Sequence, residues 1–224
     1  MPVIWRGPAD RPQLALTIDD FPGSGLDQPG EGSMALLDLL RKLAIPVTFF
    51  AIGEQVERHP GMAALALADG HELGNHLWRD SWSFALPRQA FLRQLDATTA
   101  AIEADLAAAG ASTHLRWFRP AGGWIHPAMV SWARTRGYRT VLGSIWPLDG
   151  LPLSPPGMLQ RWAVRQLAHP GGILVLHDND RASHATARTL AEVVPALQQR
   201  GFRFASLTQL LDADSSESPD PSSA

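Results

Sequence analysis

The segment QLALTIDDFPG, residues 13–23, places two adjacent carboxylates, Asp19 and Asp20, directly after a run of mainly apolar residues. A short apolar run bounded by turn-forming residues is typical of a buried β-strand. At least one of the two carboxylates is therefore expected near the boundary of the core, where an ionised group is costly without a nearby cation. The alternative is a purely structural role, in an Asx turn or as the cap of the next helix.

Similar apolar runs recur along the chain and alternate with longer helical patterns, several of which close on Gly as helices often do. The predicted strands are QLALTI (13–18), PVTFFAI (46–52), HELGN (71–75), LRWFR (115–119), YRTVLGS (138–144), GILVLH (172–177) and FRFAS (202–206). Strands that alternate with helices predict a parallel sheet with helical crossovers, either rolled into a barrel or left open. Residues 1–211 are predicted to form one domain, and the polar, Pro- and Ser-rich residues 212–224 a disordered tail.

The composition excludes several classes of function. The 224 residues carry a formal net charge of -3, so the chain lacks the strongly basic surface that nucleic acid or an anionic membrane would need. Cysteine is absent, which excludes thiolate metal sites and cysteine nucleophiles, and Lys42 is the only lysine, which leaves almost no candidate for Schiff-base chemistry. The sequence shows neither a signal peptide nor a membrane span, which predicts a cytoplasmic location.

Ionisable residues recur at the carboxyl ends of the predicted strands. Asp19 and Asp20 follow the first strand, His76 follows the third, Arg119 ends the fourth and His177 ends the sixth. Parallel α/β folds usually carry their functional site at this edge of the sheet. Hydrophobic packing gives no reason to repeat ionisable groups there, so these side chains are expected to share one rim.

The segment HELGNHLWRDSW, residues 71–82, contains a possible pair of metal ligands. His76 and Asp80 are four residues apart and would lie on one face, close enough to bind one ion, if the segment were helical. Alternatively, Asp80 is a turn or cap residue and His76 is a strand-end histidine that is hydrogen-bonded to the backbone. The spacing alone does not decide between the two.

Taken together, these segments resemble the polysaccharide deacetylases of the NodB-homology type, also called carbohydrate esterase family 4, over nearly the whole chain. TIDDFP (17–22) resembles the family's TFDDGP block, which implies that Asp19 is the catalytic base and Asp20 a metal ligand. GNHLWRD (74–80) resembles the GNHTxxH block, which supplies two metal-binding histidines. The resemblance places His76 and Asp80 at those two positions.

Three further blocks follow in the family's order. RWFRPAGGW (116–124) resembles the FRPPYG block, which implies that Arg119 orients the base and that backbone near Gly122 helps to bind the oxyanion. GSIWPLDG (143–150) is a looser match to the block that contributes an Asp and a Trp, here Asp149 and Trp146. ILVLHD (173–178) matches the block whose His, here His177, is the general acid. The implied fold is a distorted (β/α) barrel of about seven parallel strands with outer helices.

The chain departs from the family pattern at three positions. Asp80 stands in place of the second histidine, Phe21 in place of the Gly after the two aspartates, and Gly122 at the tyrosine position of FRPPYG. A carboxylate can also bind zinc or another divalent ion. Because Asp is shorter than His, Asp80 must approach the ion more closely, bind through water, or hold His76 in place.

The implied function is metal-dependent hydrolysis of an N- or O-linked acetyl group on a saccharide substrate. A divalent metal, zinc or another ion, would be held by Asp20, His76 and Asp80, while Trp124 and Trp146 would offer flat faces to sugar rings. Two alternatives stay open. One is a metal-independent amidohydrolase of a small cyclic amide on the same fold, and the other is a non-catalytic carbohydrate-binding relative, against which the intact base and acid positions argue.

Overall fold

A computed structural model describes residues 3–23, 31–149, 157–179 and 183–212. The described strands are β1 (Gln13–Phe21), β2 (Thr48–Ala51), β3 (Glu72–Asn75), β4 (Trp117–Phe118), β5 (Arg139–Thr140), β6 (Gly172–His177) and β7 (Arg203–Ala205). The described α-helices are α1 (Glu31–Leu43), α2 (Gly53–Arg58), α3 (Met62–Ala68), α4 (Arg88–Ala108), α5 (Pro127–Arg134), α6 (Gly157–Leu167), α7 (Ser183–Gln199) and α8 (Leu207–Leu211). A short 3-10 helix covers Ser83–Ala85.

The strands form one sheet in which every pairing is parallel. Their order is β5-β4-β3-β2-β1-β6, and β7 pairs with the first residues of β1. Beyond β5 the chain reaches the opposite end of the sheet, where Ile145 forms a parallel bridge with Leu174 of β6. The sheet is therefore curled into a half-barrel with flanking helices, which confirms the distorted barrel expected from the sequence.

All seven predicted strands are present, and β6 has the predicted bounds. Strands β4 and β5 are shorter than the apolar runs that indicated them, because each keeps only two residues in the sheet. Two helices were not predicted. Helices α2 and α8 contain six and five residues, which is too short to show a helical hydrophobic period.

Alternation along β1 divides its residues between two apolar clusters. The main core, between the sheet and the helices, takes Leu14, Leu16 and Ile18. Ala15 belongs instead to a smaller cluster on the inner face of the sheet, together with Phe50 and Trp117. Thr17 and Asp19 continue this inner face at intervals of two residues, so the inner face becomes polar toward the carboxyl end of the strand.

The described strands from Gln13 to Ala205 join a single sheet, and one domain over residues 1–211 remains our prediction. Of the predicted tail, residues 213–224 lie outside the described residues. Asp212, the first residue of that segment, is bound by Arg116 at 2.6 Å and by Arg139 at 3.3 Å. No helix among the described residues is both long and apolar enough to span a membrane.

Candidate active site

The carboxyl ends of β1, β3, β4 and β6 surround a cavity of about 430 Å³, within the range of small-molecule sites. All the residues that the sequence suggested for the site line it: Asp19, Asp20, His76, Asp80, Arg119, Gly122, Trp124, Trp146, Asp149 and His177. Other residues of the lining are Trp82, Gly123, Leu142, Leu148, Val175 and Asn179.

Asp19 is held by a buried arginine. Asp19 and Arg119 are 4% and 1% exposed, and Nη1 of Arg119 donates a 2.6 Å hydrogen bond to Oδ1 of Asp19. The same nitrogen donates to Oγ1 of Thr17 at 2.7 Å. Nε and Nη2 of Arg119 donate to the carbonyl oxygens of Val141 and Leu142. The guanidinium is thus fixed by contacts on three sides.

These contacts set the ionisation of Asp19. Burial opposes the charged carboxylate, but the charges of Arg119, His76 and His177 hold the pKa of Asp19 below its ordinary value. Arg119 occupies Oδ1, and Oδ2 lies 3.9 Å from Nε2 of His76. Asp19 therefore presents an ionised oxygen to the centre of the site.

Asp20 faces His76, with Oδ1 of the carboxylate 3.7 Å from Nε2 of the ring. Nδ1 of His76 lies 2.8 Å from the carbonyl oxygen of Arg119, and because that oxygen only accepts, Nδ1 carries the proton. Nε2, the other ring nitrogen, faces Asp20 and Asp19. The other oxygen of Asp20 accepts a 3.0 Å hydrogen bond from Nδ2 of Asn179.

His177 is oriented by a second buried carboxylate. Nδ1 of His177 lies 3.0 Å from Oδ1 of Asp149, and the backbone N–H of His177 donates to the other oxygen at 2.8 Å. Burial opposes the charged ring, but the hydrogen bond and charge of Asp149, with the charges of Asp19 and Asp20, raise the pKa of His177 to about 9. His177 is therefore suited to donate a proton at neutral pH.

The loop after β4 forms one wall of the cavity. Gly122 and Gly123 have φ angles of 76° and 73°, a conformation that residues with a side chain rarely adopt. A Cβ on Gly123 would lie 3.1 Å from the Trp146 ring, so glycine there also lets the ring approach the loop. Trp124 and Trp146 are 62% and 40% exposed on this wall, whereas Trp78, near the same motifs, packs over Gly53.

The donors at Asp20 and His76 fit a divalent cation. Imidazole nitrogen and carboxylate oxygen are ligands that divalent cations accept, and a carbonyl that fixes the ring through Nδ1 is typical of metal-binding histidine. Burial raises the pKa of Asp20; Asp80 and Asp19 add to this effect, which His177 and His76 oppose. A bound cation would reverse that penalty.

Asp80, the third proposed ligand, is at the exposed edge of the cavity. Residues 76–80 are not helical, and Leu77 has a φ of 68°, so the helical pairing of His76 with Asp80 that the spacing allowed is wrong. Within the described ranges, no three His, Asp or Glu side chains are grouped as ligands of one ion. The structure thus brings together two of the proposed ligands and leaves Asp80 beside them.

Several residues that hold the site were not predicted. Thr17 and Asn179 contact Arg119 and Asp20 as described above, and Thr186 donates a hydrogen bond to the carbonyl oxygen of His177 at 2.8 Å. The ring of Phe50 lies 4.2 Å from the guanidinium carbon of Arg119, a cation–π distance. Of these, Thr17 alone had a sequence signal, because it lies two residues before Asp19 and so faces the same side of the strand.

The carboxyl ends of the parallel strands thus bring an arginine-held carboxylate together with an aspartate-held histidine, the kind of pair that hydrolases use for acid–base chemistry. The sequence profile of the polysaccharide deacetylase family matches residues 6–141, and the chain belongs to that family. Members of this family generally depend on a divalent metal ion.

Similar proteins include both enzymes and a pseudoenzyme. A peptidoglycan-N-acetylglucosamine deacetylase of Bacillus cereus is 31% identical over 217 residues, which cover 93% of this chain and 92% of the relative. A family 4 acetyl xylan esterase from Clostridium thermocellum, solved with a cobalt ion, has a TM-score of 0.76 at 26% identity and covers 91% of this chain and 92% of its own. A family 4 pseudoenzyme from Bacillus anthracis has a TM-score of 0.81 at 25% identity and covers 94% and 69%.

Proposed function

We propose that this protein is a metal-dependent hydrolase that removes an N- or O-linked acetyl group from a carbohydrate, with Asp19 as base and His177 as acid. One observation carries the proposal. Asp19 and His177 are register partners on the adjacent strands β1 and β6, and each is oriented by a buried group, Arg119 or Asp149. A base and an acid are thereby held at one cavity in complementary protonation states.

The proposed proton transfers follow from the hydrogen bonds. Because Arg119 occupies Oδ1 of Asp19, Oδ2 would accept the proton of the attacking water. Because Nδ1 of His177 is bonded to Asp149, Nε2 would donate the proton to the leaving amine or alcohol. Asp149 would act by holding the histidine ring and stabilising its charged form.

The acetyl oxygen requires stabilisation as it becomes negative. Backbone amides near Gly122, on the wall of the cavity, would donate hydrogen bonds to that oxygen. Asp20 and His76 would hold the divalent ion, zinc or another metal, with Asp80 as the third ligand. When bound, such an ion polarises a carbonyl and makes water more acidic.

The proposed substrate is an acetylated saccharide. The family membership and the acetylated-sugar activity named for the Bacillus cereus relative support this class. The exposed indole rings of Trp124 and Trp146 on the cavity wall also support it, because sugar rings stack their C–H faces on aromatic rings.

The test is acetate release from N-acetylglucosamine oligomers and acetylated xylan by the wild type and by Asp19→Asn and His177→Ala. Each substitution is expected to lower turnover by roughly a hundred- to ten-thousand-fold in protein that still folds and binds metal. Circular dichroism and metal content are measured alongside, because Asp19→Asn also leaves the buried Arg119 without its charge partner. Asp10→Asn and His114→Ala, at exposed positions outside the cavity, are the matched controls. Wild-type turnover in either site variant would overturn the roles assigned here.

The exposed position of Asp80 favours one second candidate, a metal-independent hydrolase of a small cyclic amide that uses the same Asp19 and His177. Elemental analysis combined with turnover after chelation separates the two. Loss of acetate release on chelation, restored by added zinc or cobalt, supports the metal-dependent enzyme. Undiminished turnover of a cyclic amide by metal-free protein supports the second candidate, and saccharide binding without any turnover would identify a non-catalytic relative.

A further inference from the structure

The residues that follow β6 hold the end of β1 on both sides of Asp20. The backbone N–H of Asp178 donates a 2.8 Å hydrogen bond to the carbonyl oxygen of Asp19. Oδ2 of Asp178 accepts hydrogen bonds from the backbone N–H of Gly23 at 3.1 Å and from Oγ of Ser33 at 2.5 Å. Asp178 therefore fixes the chain just before Asp20 and again three residues after it.

The backbone of Asp20 depends on such support. Its φ of 65° lies in the left-handed region, which residues with a side chain seldom adopt. A backbone in this region persists only where the surrounding structure enforces it. The carboxylate that this backbone carries lines the cavity, so contacts that enforce the conformation also keep the carboxylate in the site.

Asn179 extends this hold from the backbone to the carboxylate. Nδ2 of Asn179 donates a 3.0 Å hydrogen bond to Oδ2 of Asp20, and Oδ1 of Asp20 lies 3.7 Å from Nε2 of His76. The amide thus holds one oxygen of Asp20, and the histidine faces the other. Fixing Oδ2 in this way directs Oδ1 toward the nitrogen that would share an ion with it.

The two adjacent carboxylates are held by chemically different donors. Arg119, which holds Asp19, is a cation, and its charge compensates that carboxylate. Asn179 is neutral, so it orients Asp20 without neutralising it. A carboxylate that is oriented and keeps its negative charge is suited to bind a cation, and hydrogen-bonding partners of ligating carboxylates strengthen metal binding.

We propose that Asn179 is a positioning residue for Asp20, and that it sets the affinity of the site for a divalent ion without taking part in proton transfer. The inference rests on the proposed function, because it assumes that Asp20 and His76 bind such an ion. Asp178 supports the same arrangement through the backbone on either side of Asp20.

The test measures the zinc affinity of purified metal-free protein by competition with a chromophoric chelator. Asn179→Leu replaces the amide with an apolar group of similar size at a partly buried position, and it should weaken zinc binding about ten- to a hundredfold. Two controls should bind zinc as the wild type does. Thr186→Val removes the hydroxyl that bonds the carbonyl oxygen of His177, and Gln166→Leu removes an exposed amide of α6 outside the cavity.

A second measurement separates metal affinity from catalysis. Acetate release from N-acetylglucosamine oligomers is followed while zinc is added to the metal-free wild type and to Asn179→Leu. The zinc concentration that gives half-maximal turnover should rise in the variant by the same factor as the dissociation constant. Turnover at saturating zinc should return toward the wild-type value, because Arg119 and Asp149 still hold the base and the acid.

The possible outcomes distinguish failure of this role from failure of the proposed function. Equal zinc affinity in Asn179→Leu and the wild type, an equal loss of affinity in Thr186→Val, or no zinc binding by the wild type would refute the role of Asn179. If the wild type released acetate while Asn179→Leu kept its zinc affinity, the proposed function would stand without this role. Zinc binding that depends on Asn179, in a protein that releases no acetate, would support the role and refute the proposed function.

Discussion

Replacing Arg119 with Met is expected to be among the most destabilising single substitutions in the site. The side chain is 1% exposed and donates hydrogen bonds to Asp19, Thr17, Val141 and Leu142. Methionine keeps much of the volume but leaves the buried carboxylate of Asp19 without its cation. Removing one partner of a buried ion pair costs about 3–5 kcal/mol of unfolding free energy.

A double-mutant cycle isolates the interaction between Arg119 and Asp19. Asp19→Asn removes the charge that Arg119→Met leaves uncompensated, so the double variant should be more stable than the sum of the two single losses predicts, by about 0.5–3 kcal/mol. Arg136→Met is the matched control, because its ion pair with Asp96 is 41% and 49% exposed. Exposed pairs of this kind contribute about 0–1 kcal/mol.

The assay is urea unfolding at neutral pH, followed by circular dichroism, for the wild type, both single variants, the double variant and Arg136→Met. The reasoning fails if Arg119→Met costs no more than the exposed control or if the two single losses simply add. A kinetic measurement completes the test: disorientation of Asp19 should lower kcat, and a change confined to KM would instead identify Arg119 as a substrate contact.

Three further results are expected. Asp80→Ala should lose metal at chelator concentrations where the wild type retains it, and Asp80→His should restore or tighten zinc binding; full occupancy and activity in Asp80→Ala would give Asp80 a structural role. Asp149→Asn should lower kcat at least ~tenfold with KM little changed, measured by acetate release, because the amide keeps one acceptor oxygen for the two donors of His177 and lacks the charge that stabilises the protonated ring. His71 is buried with neither ring nitrogen bonded to a described residue, and burial lowers its pKa from 6.5. The unfolded chain therefore binds this proton more readily than the folded protein does. The contribution of His71 to the free energy of unfolding should be fully present above about pH 6.5 and should be lost as the pH drops toward the folded-state pKa. In thermal unfolding, His71→Phe should reduce the dependence of the melting temperature on pH over this range, and an unchanged dependence would contradict this role of His71.

The fold could be predicted largely because buried parallel strands have a simple signature. An apolar run such as GILVLH is apolar on both faces of the sheet, and it became β6 with the predicted bounds. The location of the candidate site followed from the same pattern, since ionisable residues stood at the ends of those runs. Helix α8 has a capping box at Ser206 and Gln209, but its five residues are too few to show a hydrophobic period. The partners Phe50 and Thr186 carried no comparable signal, because a phenylalanine or threonine in a core is ordinary until its neighbours are known.

The position of Asp80 shows a different limit. Its spacing from His76 suggested a shared helical face, but the backbone between them bends at Leu77, whose N–H is held by Oδ1 of Asn75 at 2.9 Å. Leucine rarely adopts a positive φ, so a leucine at this position gives no sign in the sequence that the backbone turns there. The direction in which the loop leaves β3 therefore depends on tertiary contacts that the local sequence does not show.

The adjacent carboxylates of β1 show how the strand's geometry separates two roles. Residues 14, 16 and 18 face the helices, so regular alternation would direct Asp20 into the apolar core and only Asp19 into the cavity. The pairing of β1 with β2 is irregular between Ile18 and Phe21, and Asp20 has a φ of 65°. Such an irregularity turns a side chain out of its regular direction. Asp20 therefore also reaches the cavity, where it meets His76, while Asp19 stays on the inner face beside Arg119. One carboxylate is paired with a fixed cation and the other faces a histidine ring, and this difference supports the proposal, first implied by the family resemblance, that Asp19 is the base and Asp20 a metal ligand.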